Sequence, residues 1–381
     1  MDFIYADVNA THPCSKEHLM QVWDMLQPNQ GNPSSIHPLG RRARLLVERS
    51  RRSIAECIGA QAREIFFTSC ATESNNWVLQ GLCARPFFEK RPKLLISAGE
   101  HSSIRVPAAA LEKKGLCEVV SIGLQRNGQV DEEALLEQVD QNCVGIFLIH
   151  THNETGVVND VEFLAIEAKK RNPDVWFHVD AVQSLGKVEL RSLGAGFIDS
   201  ASFSAHKIGG LQGVGCLYKK EGRVLSPLLL GGGQERALRS GTQNVAGIVS
   251  FGLRAAHVLH HPDWLGSAKL ATQRFQRRLQ KIPHARIHVS LAATVGTVTF
   301  FSLEGLPRER LLVAFEQAGI CVSAGSACGS GTPVPNPTLL AMGIDTWAAT
   351  HSVRVSFGEG NREAQAERMA DIVEKAVFAV K

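Results

Sequence analysis

The stretch Val175-Trp176-Phe177-His178-Val179-Asp180 is a strongly apolar run that ends abruptly in a carboxylate. Three other short apolar runs, at 64–68, 93–97 and 144–150, alternate with longer segments of helical periodicity. Continuous apolar runs are typical of strands that are buried on both faces, and their alternation with helices is typical of a parallel sheet with crossover connections. We therefore predict an α/β fold with a mostly parallel central sheet and flanking helices.

Polar residues follow these strands at the points where the strands end. Ligands of open α/β sheets bind beyond the carboxyl ends of the strands, so we expect these side chains to converge on one site. The residues are Thr72, Glu73, His101, Asn153, Glu154, Asp180, Gln183, Ser204, His206 and Lys207.

The length of 381 residues exceeds what a single hydrophobic core usually supports, so we expect two domains. The pattern changes after a helix at 246–259, where the loop His260-His261-Pro262-Asp263 precedes a second segment of strands and helices. That segment has a strand pattern at 297–303 and helix patterns at 308–318 and 364–380. We predict a large domain formed by residues 12–258 and a smaller α+β domain formed by residues 1–11 and 259–381.

Charge and hydropathy argue against several classes of function. The chain has 41 Lys and Arg against 37 Asp and Glu. The net charge of +4 is too small to indicate a nucleic-acid-binding surface unless the basic residues cluster on one face. Six arginines do recur between 41 and 52, but apolar residues interleave with them, so we interpret them as the solvated face of an amphipathic helix. The sequence shows neither a signal-peptide pattern nor an apolar run of about 20 residues. We expect a cytoplasmic protein that binds neither membranes nor nucleic acid directly.

The nine cysteines are scattered without Cys-x-x-Cys spacing. This pattern argues against a disulfide framework and against a zinc site. We expect no metal site, and we expect most of the cysteines to be reduced.

Lys207 lies in the segment Ser204-Ala205-His206-Lys207, directly before two glycines. A lysine whose pKa is lowered by burial can form a Schiff base, although a lysine before a glycine-rich turn is more often a surface residue. Asp180 supplies the context, because a carboxylate at the end of a buried strand needs a cation. In pyridoxal phosphate (PLP) enzymes that cation is the protonated pyridine nitrogen, and Gln183 is placed to reach the ring hydroxyl. The alternative is that Asp180 only caps a following helix.

A phosphate cradle is indicated at 68–73, where a strand ends in small residues at the start of a helix. Helix N-terminal amides and a hydroxyl bind phosphate well, although Ser69 or Thr72 would also serve as an ordinary cap. His101 follows the strand at 93–97 and is placed to stack on a bound ring and to move protons. The glycine-rich segment 231–242 is either a site loop or a flexible surface connection.

Cys328 is flanked by small residues in Gly325-Ser326-Ala327-Cys328-Gly329-Ser330, which leaves its thiol sterically open, as a nucleophile requires. The alternative is an incidental loop cysteine. Arg354 alternates with apolar residues in a strand pattern at 352–357, where its guanidinium is suited to gripping a substrate carboxylate.

Taken together, these segments resemble the cysteine desulfurases of the class V aminotransferase family, which are fold type I PLP enzymes. The resemblance spans nearly the whole chain in the family's order. It rests on Tyr5 to Thr11, Gly31 to His37, Ala71-Thr72-Glu73, Glu100-His101, His152 to Gly156, His178 to Gln183, Ser204 to Lys207, Arg239 to Thr242, Gly325 to Cys328 and Arg354 to Gly358.

The resemblance implies a role for each matching position. Lys207 is the Schiff-base lysine, Asp180 contacts the pyridine nitrogen, Gln183 contacts the ring hydroxyl, and His101 stacks on the ring. Asn153 is implied to bind both the cofactor and, with Arg354, the substrate carboxylate. The implied phosphate ligands are Ala71, Thr72, Ser204, His206 and, from the neighbouring subunit, Thr242, so the resemblance implies a homodimer.

The implied reaction converts L-cysteine to L-alanine and leaves the sulfur as a persulfide on Cys328. The expected partner is a sulfur-acceptor protein of an iron-sulfur cluster or tRNA-thiolation pathway. Two alternatives of the same fold stay open: a selenocysteine lyase, and another PLP lyase or aminotransferase that leaves Cys328 idle. An alternative of another class is a sulfur-carrier scaffold or RNA-binding protein without turnover. The sequence departs from the family pattern at His12, Cys70-Ala71 and Leu211-Gln212.

Overall fold

The computed structural model describes residues 3–84, 91–325 and 334–378. Within these ranges the chain forms twelve strands and twelve α-helices. The strands are β1 Ile4–Tyr5, β2 Ile65–Thr68, β3 Lys93–Ser97, β4 Glu118–Ile122, β5 Cys143–Ile149, β6 Trp176–Asp180, β7 Ser200–Ser204, β8 Gly215–Lys219, β9 Ala285–Ile287, β10 Val298–Leu303, β11 Ile320–Cys321 and β12 Val353–Ser356. The helices are α1 Lys16–Leu26, α2 Pro38–Cys57, α3 Ala71–Cys83, α4 Ser102–Lys113, α5 Glu132–Glu137, α6 Val161–Arg171, α7 Val245–His260, α8 Gly266–Leu279, α9 Arg308–Gln317, α10 Pro337–Ala341, α11 Thr346–Thr350 and α12 Glu363–Phe378.

Seven strands form the central sheet, in the order β2-β8-β7-β6-β5-β3-β4. The pairs from β7 to β4 are all parallel, whereas β8 runs antiparallel to both of its neighbours. This arrangement confirms the predicted α/β fold with a mostly parallel sheet. The strands predicted at 93–97 and 175–180 are β3 and β6, the second beginning at Trp176.

The two faces of the sheet are buried in separate apolar cores. Along β6, Phe177 and Val179 belong to the larger core, which includes residues of α2, α6 and α7. Trp176 belongs to the second core, which includes residues of α3 and α4. Because side chains alternate between the faces of a strand, His178 and Asp180 lie on the same side as Trp176. Both faces of β6 are therefore covered, and its last residue is directed toward the N-terminal part of α3.

The C-terminal part of the chain forms a smaller antiparallel sheet with the strand order β12-β10-β9. The first strand of the chain, β1, pairs in parallel with β11. These pairings support the predicted division into residues 12–258 and a unit of residues 1–11 and 259–381, which stays a prediction.

The arginines of α2 do not all form a solvated face. Five of the six are exposed, but Arg51 is buried, and its two terminal nitrogens donate to the carboxylate of Glu235 at 2.7 and 2.9 Å. The prediction was wrong for Arg51 because its countercharge is supplied by a loop 184 residues away. The helical pattern alone carries no sign of that partner.

None of the helices in the described ranges has the length and apolar character needed to cross a bilayer. The cysteines at described positions are free thiols, and five of them are buried. In the same part of the chain, no group of three or more His, Cys, Asp or Glu side chains is arranged to hold a metal ion.

Candidate active site

A cleft of about 150 Å³ lies at the carboxyl ends of the central strands. Nine of the predicted site residues line it, so the expected convergence is observed for them. The lining residues are Cys70, Ala71, Thr72, His101, Ser103, Ile149, Asn153, Asp180, Val182, Gln183, Ser204, His206 and Lys207.

Lys207 lies just after β7, in a short 3-10 turn that spans Ala205–Ile208. Its Nζ donates to the backbone carbonyl oxygens of Asn9 and Ala10, both at 2.8 Å. Burial and, to a lesser extent, the positive charge of Arg354 lower the pKa of Lys207 to about 8, while the negative charge of Asp180 opposes the shift. About a tenth of the amine is therefore unprotonated at pH 7, far more than for an ordinary lysine, and a nucleophilic lysine requires the unprotonated form.

Asp180 ends β6 and is buried. One carboxylate oxygen accepts from the backbone N–H of Val182 at 3.1 Å, and the other accepts from Asn75 Nδ2 at 3.0 Å. Both donors are neutral, so the carboxylate keeps a net negative charge beside the cleft. That charge suits a cationic ligand group, such as a protonated pyridine nitrogen.

The N-terminus of α3 forms one end of the cleft, together with Thr72, Ser204 and His206. The first N–H groups of a helix have no partner within the helix, and the helix dipole favours an anion there. Burial lowers the pKa of His206 to about 4, so its ring is neutral and its contribution is hydrogen bonding. This donor set fits a phosphate group, and with Asp180 and Lys207 it fits PLP.

His101 follows β3 and caps α4. Its Nδ1 accepts from the backbone N–H of Ser103 at 3.1 Å, so the proton of the neutral ring is on Nε2. Burial lowers the pKa of His101, and the carboxylate of Asp180 opposes that shift. The other charged groups that act on the ring are Lys207, Glu154 and Arg105.

Gln183 is held by two residues that the sequence analysis did not single out. Its Nε2 donates to the carbonyl oxygen of Asn9 at 2.9 Å, and its Oε1 accepts from Lys187 Nζ at 2.5 Å. Lys187 also donates to Asn9 Oδ1 at 2.9 Å, and burial lowers its pKa to about 7. The available signal was the spacing of four residues between Gln183 and Lys187, which sequence alone does not distinguish from a surface pair.

Arg354 lies in β12 and contacts Asn153, which lines the cleft. Its Nη1 donates to the carbonyl oxygen of Asn153 at 3.2 Å, and its Nη2 lies 2.6 Å from Asp7 Oδ1. Its buried Nε has no hydrogen-bond partner among the described residues. A buried N–H that lacks an acceptor is costly, so this group suits an incoming carboxylate.

Glu73, Glu154 and Arg354, which the sequence analysis also singled out, do not line the cleft. Thr242 is exposed, three residues before α7 begins, and does not line the cleft. Cys328 lies outside the described residues.

The chain is similar to known proteins over nearly its whole length. The aminotransferase class-V family model matches residues 4–369. A cysteine desulfurase of Trichormus azollae is 34% identical over 380 residues, which cover 99% of this chain and 93% of that protein. A solved NifS-like protein is 31% identical, with a TM-score of 0.91, over 99% of this chain and 100% of that chain. A structure of SspA in complex with cysteine is 28% identical, with a TM-score of 0.82, over 93% of this chain and 99% of that chain. The chain therefore belongs to the aminotransferase class-V family.

Proposed function

We propose that this protein is a PLP-dependent cysteine desulfurase that converts L-cysteine to L-alanine and transfers the sulfur through a persulfide on Cys328. The observation that carries the proposal is the grouping of Lys207, Asp180 and His101 around one cleft, with the N-terminus of α3 at its end. The likeness to relatives named cysteine desulfurase over nearly their full length supports the same activity.

The cofactor would be held at both ends by residues of this cleft. Lys207 would bond to its aldehyde carbon, Asp180 would contact the ring nitrogen, and Gln183 would contact the ring hydroxyl. When bound, PLP supplies an electron sink that stabilises negative charge on the substrate carbon. The phosphate would bind the helix N-terminus at Ala71 and Thr72, together with Ser204 and His206.

The substrate would be oriented by its carboxylate. The free Nε–H of Arg354 supplies a charge-assisted donor, and Asn153 lies both on the cleft and against the guanidinium. Proton transfers would fall to Lys207, whose pKa is lowered to about 8, and to His101, whose pKa burial also lowers. Groups whose pKa lies near neutrality are the most effective general acids and bases.

The sulfur step forms one bond and breaks one. The thiolate of Cys328 attacks the sulfur of the substrate, the sulfur–sulfur bond forms, and the carbon–sulfur bond breaks with its electron pair left on carbon. A proton from a site group then completes alanine, so cysteine and one thiol become alanine and one persulfide, with no external oxidant. A sulfur-acceptor protein of an iron-sulfur or thiolation pathway in the cytoplasm would receive the sulfur.

The chain would act as a homodimer, in which Thr242 of each subunit reaches the phosphate site of the other. Thr242 is exposed and does not line the cleft of its own subunit, which supports this arrangement.

The test is the visible spectrum of the purified protein before and after addition of L-cysteine with a reductant, with alanine and sulfide measured together. We expect the wild type to show the absorbance of lysine-linked cofactor and to form both products. Lys207→Ala should lose the absorbance and both products, and Cys328→Ala should lose sulfide release. Cys321→Ala, which removes a partly exposed cysteine seven positions earlier, is the matched control and should retain activity.

Two results would contradict the proposal. A wild-type protein that binds no PLP would favour a scaffold without turnover. A Cys328→Ala variant with the full wild-type rate would favour a lyase or aminotransferase of the same fold, and comparison of L-cysteine with L-selenocysteine would then separate a selenocysteine lyase from the rest.

A further inference from the structure

Asn75 lies in α3 behind the cleft, and its side chain is completely buried. Its amide nitrogen donates to Asp180 Oδ2 at 3.0 Å and to Ser103 Oγ at 2.8 Å, which uses both of its hydrogens. The reverse amide orientation would direct the carbonyl oxygen at a carboxylate, which is repulsive. The contacts of Asp180 therefore fix the amide direction, and the carbonyl oxygen of Asn75 faces the other way.

That carbonyl oxygen lies 3.0 Å from His178 Nε2, so His178 must carry its proton on Nε2. His178 is completely buried, and burial lowers its pKa to about 3, so the ring is neutral and Nδ1 is an acceptor. Ser200 Oγ lies 2.7 Å from that Nδ1 and donates its hydrogen to it. The same oxygen accepts from Trp176 Nε1 at 2.7 Å. Every member of this buried chain therefore has a defined direction of donation.

The chain of donors runs one way, from Trp176 through Ser200, His178 and Asn75 to the carboxylate of Asp180. In a buried network of this kind, each bond polarises the next, so the hydrogen bond that Asp180 accepts from Asn75 is strengthened.

The amide of Asn75 is also linked to His101, through Ser103. Ser103 Oγ accepts from Asn75 and lies 2.8 Å from His101 Nδ1. Since the Ser103 oxygen already receives one hydrogen, its own hydroxyl hydrogen is available for that Nδ1. This contact reinforces the tautomer of His101 in which the Nε2 carries the proton.

We propose that Asn75 is a positioning residue of the active site, which orients Asp180 and, through Ser103, His101, and that His178 fixes the direction of its amide. The proposal rests on the proposed function, because it assigns Asp180 and His101 to the cofactor. The buried amide of Asn75 thus links Asp180, which is assigned to the ring nitrogen, to His101, which is assigned to the ring face.

The first test compares Asn75→Leu with Asn172→Leu. Asn172 is a matched control, because it is also buried and its amide donates to two carbonyl oxygens, those of Asp140 and Cys143, both at 2.9 Å and outside the cleft lining. Both variants should lower the melting temperature. Loss of a hydrogen bond to a charged group should weaken PLP binding to the Asn75→Leu apoprotein by about tenfold or more, as measured by fluorescence titration. Asn172→Leu should bind PLP within about twofold of the wild type.

A double-mutant cycle tests the part assigned to His178. His178→Leu alone should weaken PLP binding in the same direction as Asn75→Leu. In the Asn75→Leu background it should add little, because His178 acts through the amide that is already absent. Additive losses would show that His178 acts independently and would overturn that part of the proposal.

Ser103→Ala separates the two branches. It leaves the contact between Asn75 and Asp180 in place, so PLP affinity should stay within about twofold of the wild type. The pH profile of kcat should shift, because His101 loses the contact that reinforces its tautomer.

Equal PLP affinity in Asn75→Leu and Asn172→Leu would show that Asn75 has only a structural role. If Asn75→Leu does not fold, Asn75→Ala gives the same comparison against Asn172→Ala. A wild-type protein that fails to bind PLP would instead reject the proposed function, so the two failures are distinguishable.

Discussion

Arg354 Nη2 and Asp7 Oδ1 lie 2.6 Å apart, although the two residues are 347 positions apart in the chain. The carboxylate of Asp7 accepts a hydrogen bond from Nη2, and the carbonyl oxygen of Asn153 accepts one from Nη1. The ion pair therefore fixes the orientation in which the Nε–H of Arg354 is left without an acceptor among the described residues.

Arg354→Gln should raise the KM for L-cysteine by about 10- to 100-fold, because a charge-assisted hydrogen bond contributes roughly 1.5–3 kcal/mol. It should also raise the pKa of Lys207, since the charge of Arg354 lowers it. Steady-state kinetics and the pH dependence of PLP binding to the apoprotein would measure both effects. Arg286→Gln, which breaks an exposed ion pair with Asp345, is the control. An unchanged KM would show that Arg354 does not bind the substrate.

Lys187→Met should lower stability, because it leaves Gln183 Oε1 and Asn9 Oδ1 without their donor at a cost of roughly 1–3 kcal/mol each. It should also weaken PLP binding, since the amide of Gln183 is no longer held. Burial lowers the pKa of Lys187 from 10.5 to about 7, so the stability that this group contributes rises from pH 7 toward 10.5 and is lost as the pH falls.

The difference in melting temperature between wild-type and Lys187→Met apoprotein should accordingly be larger at pH 9 than at pH 7. Lys269→Met, at an exposed lysine, is the matched control. A difference in melting temperature that is the same at pH 7 and pH 9 would contradict the conclusion that the charge of Lys187 is buried.

Subunits that carry Lys207→Ala should regain activity when they are mixed with subunits that carry Thr242→Val, if Thr242 completes the neighbouring site. Each hybrid dimer then has one site with both residues intact. Random mixing should recover about a quarter of the wild-type activity, because half of the dimers are hybrids and each has one working site. Mixing should follow partial unfolding and refolding together, with each variant refolded alone as the control. If no activity is recovered, Thr242 either contributes to the site of its own subunit or contributes to neither site.

The protein should lose stability as the pH falls below 6.5. Burial lowers the pKa of His150 and His288 from 6.5 to about 4 and that of His178 to about 3, so the unfolded chain binds protons that the native state does not. Each such group contributes a slope of roughly 1.4 kcal/mol per pH unit. Denaturant unfolding of His288→Gln between pH 6.5 and 4 should show a shallower slope than the wild type. His260→Gln, at an exposed ring, is the control.

Glu235→Gln should cost roughly 3–5 kcal/mol, because it leaves the buried charge of Arg51 with only the partly exposed carboxylate of Glu48, at 3.2 Å, as its partner. Glu235 and the next two residues all adopt positive φ, at 46, 57 and 61°, so the ion pair also anchors a strained turn. The exposed pair of Arg63 and Glu221 supplies the control, since Glu221→Gln should change stability by less than about 1 kcal/mol. Equal effects of the two substitutions in denaturant unfolding would contradict this assignment.

The predicted site residues that the structure brings to the cleft share a simple feature. Asp180 ends a strand of the central sheet, and His101, Lys207 and Thr72 come shortly after strands of the same sheet, whose ends meet at one edge. Asn75 and Lys187 could not be found in this way, because they lie within or beyond the following segments and act through other side chains. Their importance depends on burial and on exact donor directions.

The α/β fold, the strand ends that line the cleft and the family resemblance can all be predicted from the sequence, because apolar runs, strand exits and motifs are local in the chain. The contact of Asp7 with Arg354, that of Glu235 with Arg51, and the link from Asp180 through Asn75 and Ser103 to His101 are visible only in the tertiary structure. These contacts join residues far apart in sequence, and their strength comes from the removal of water on folding, which no local pattern records.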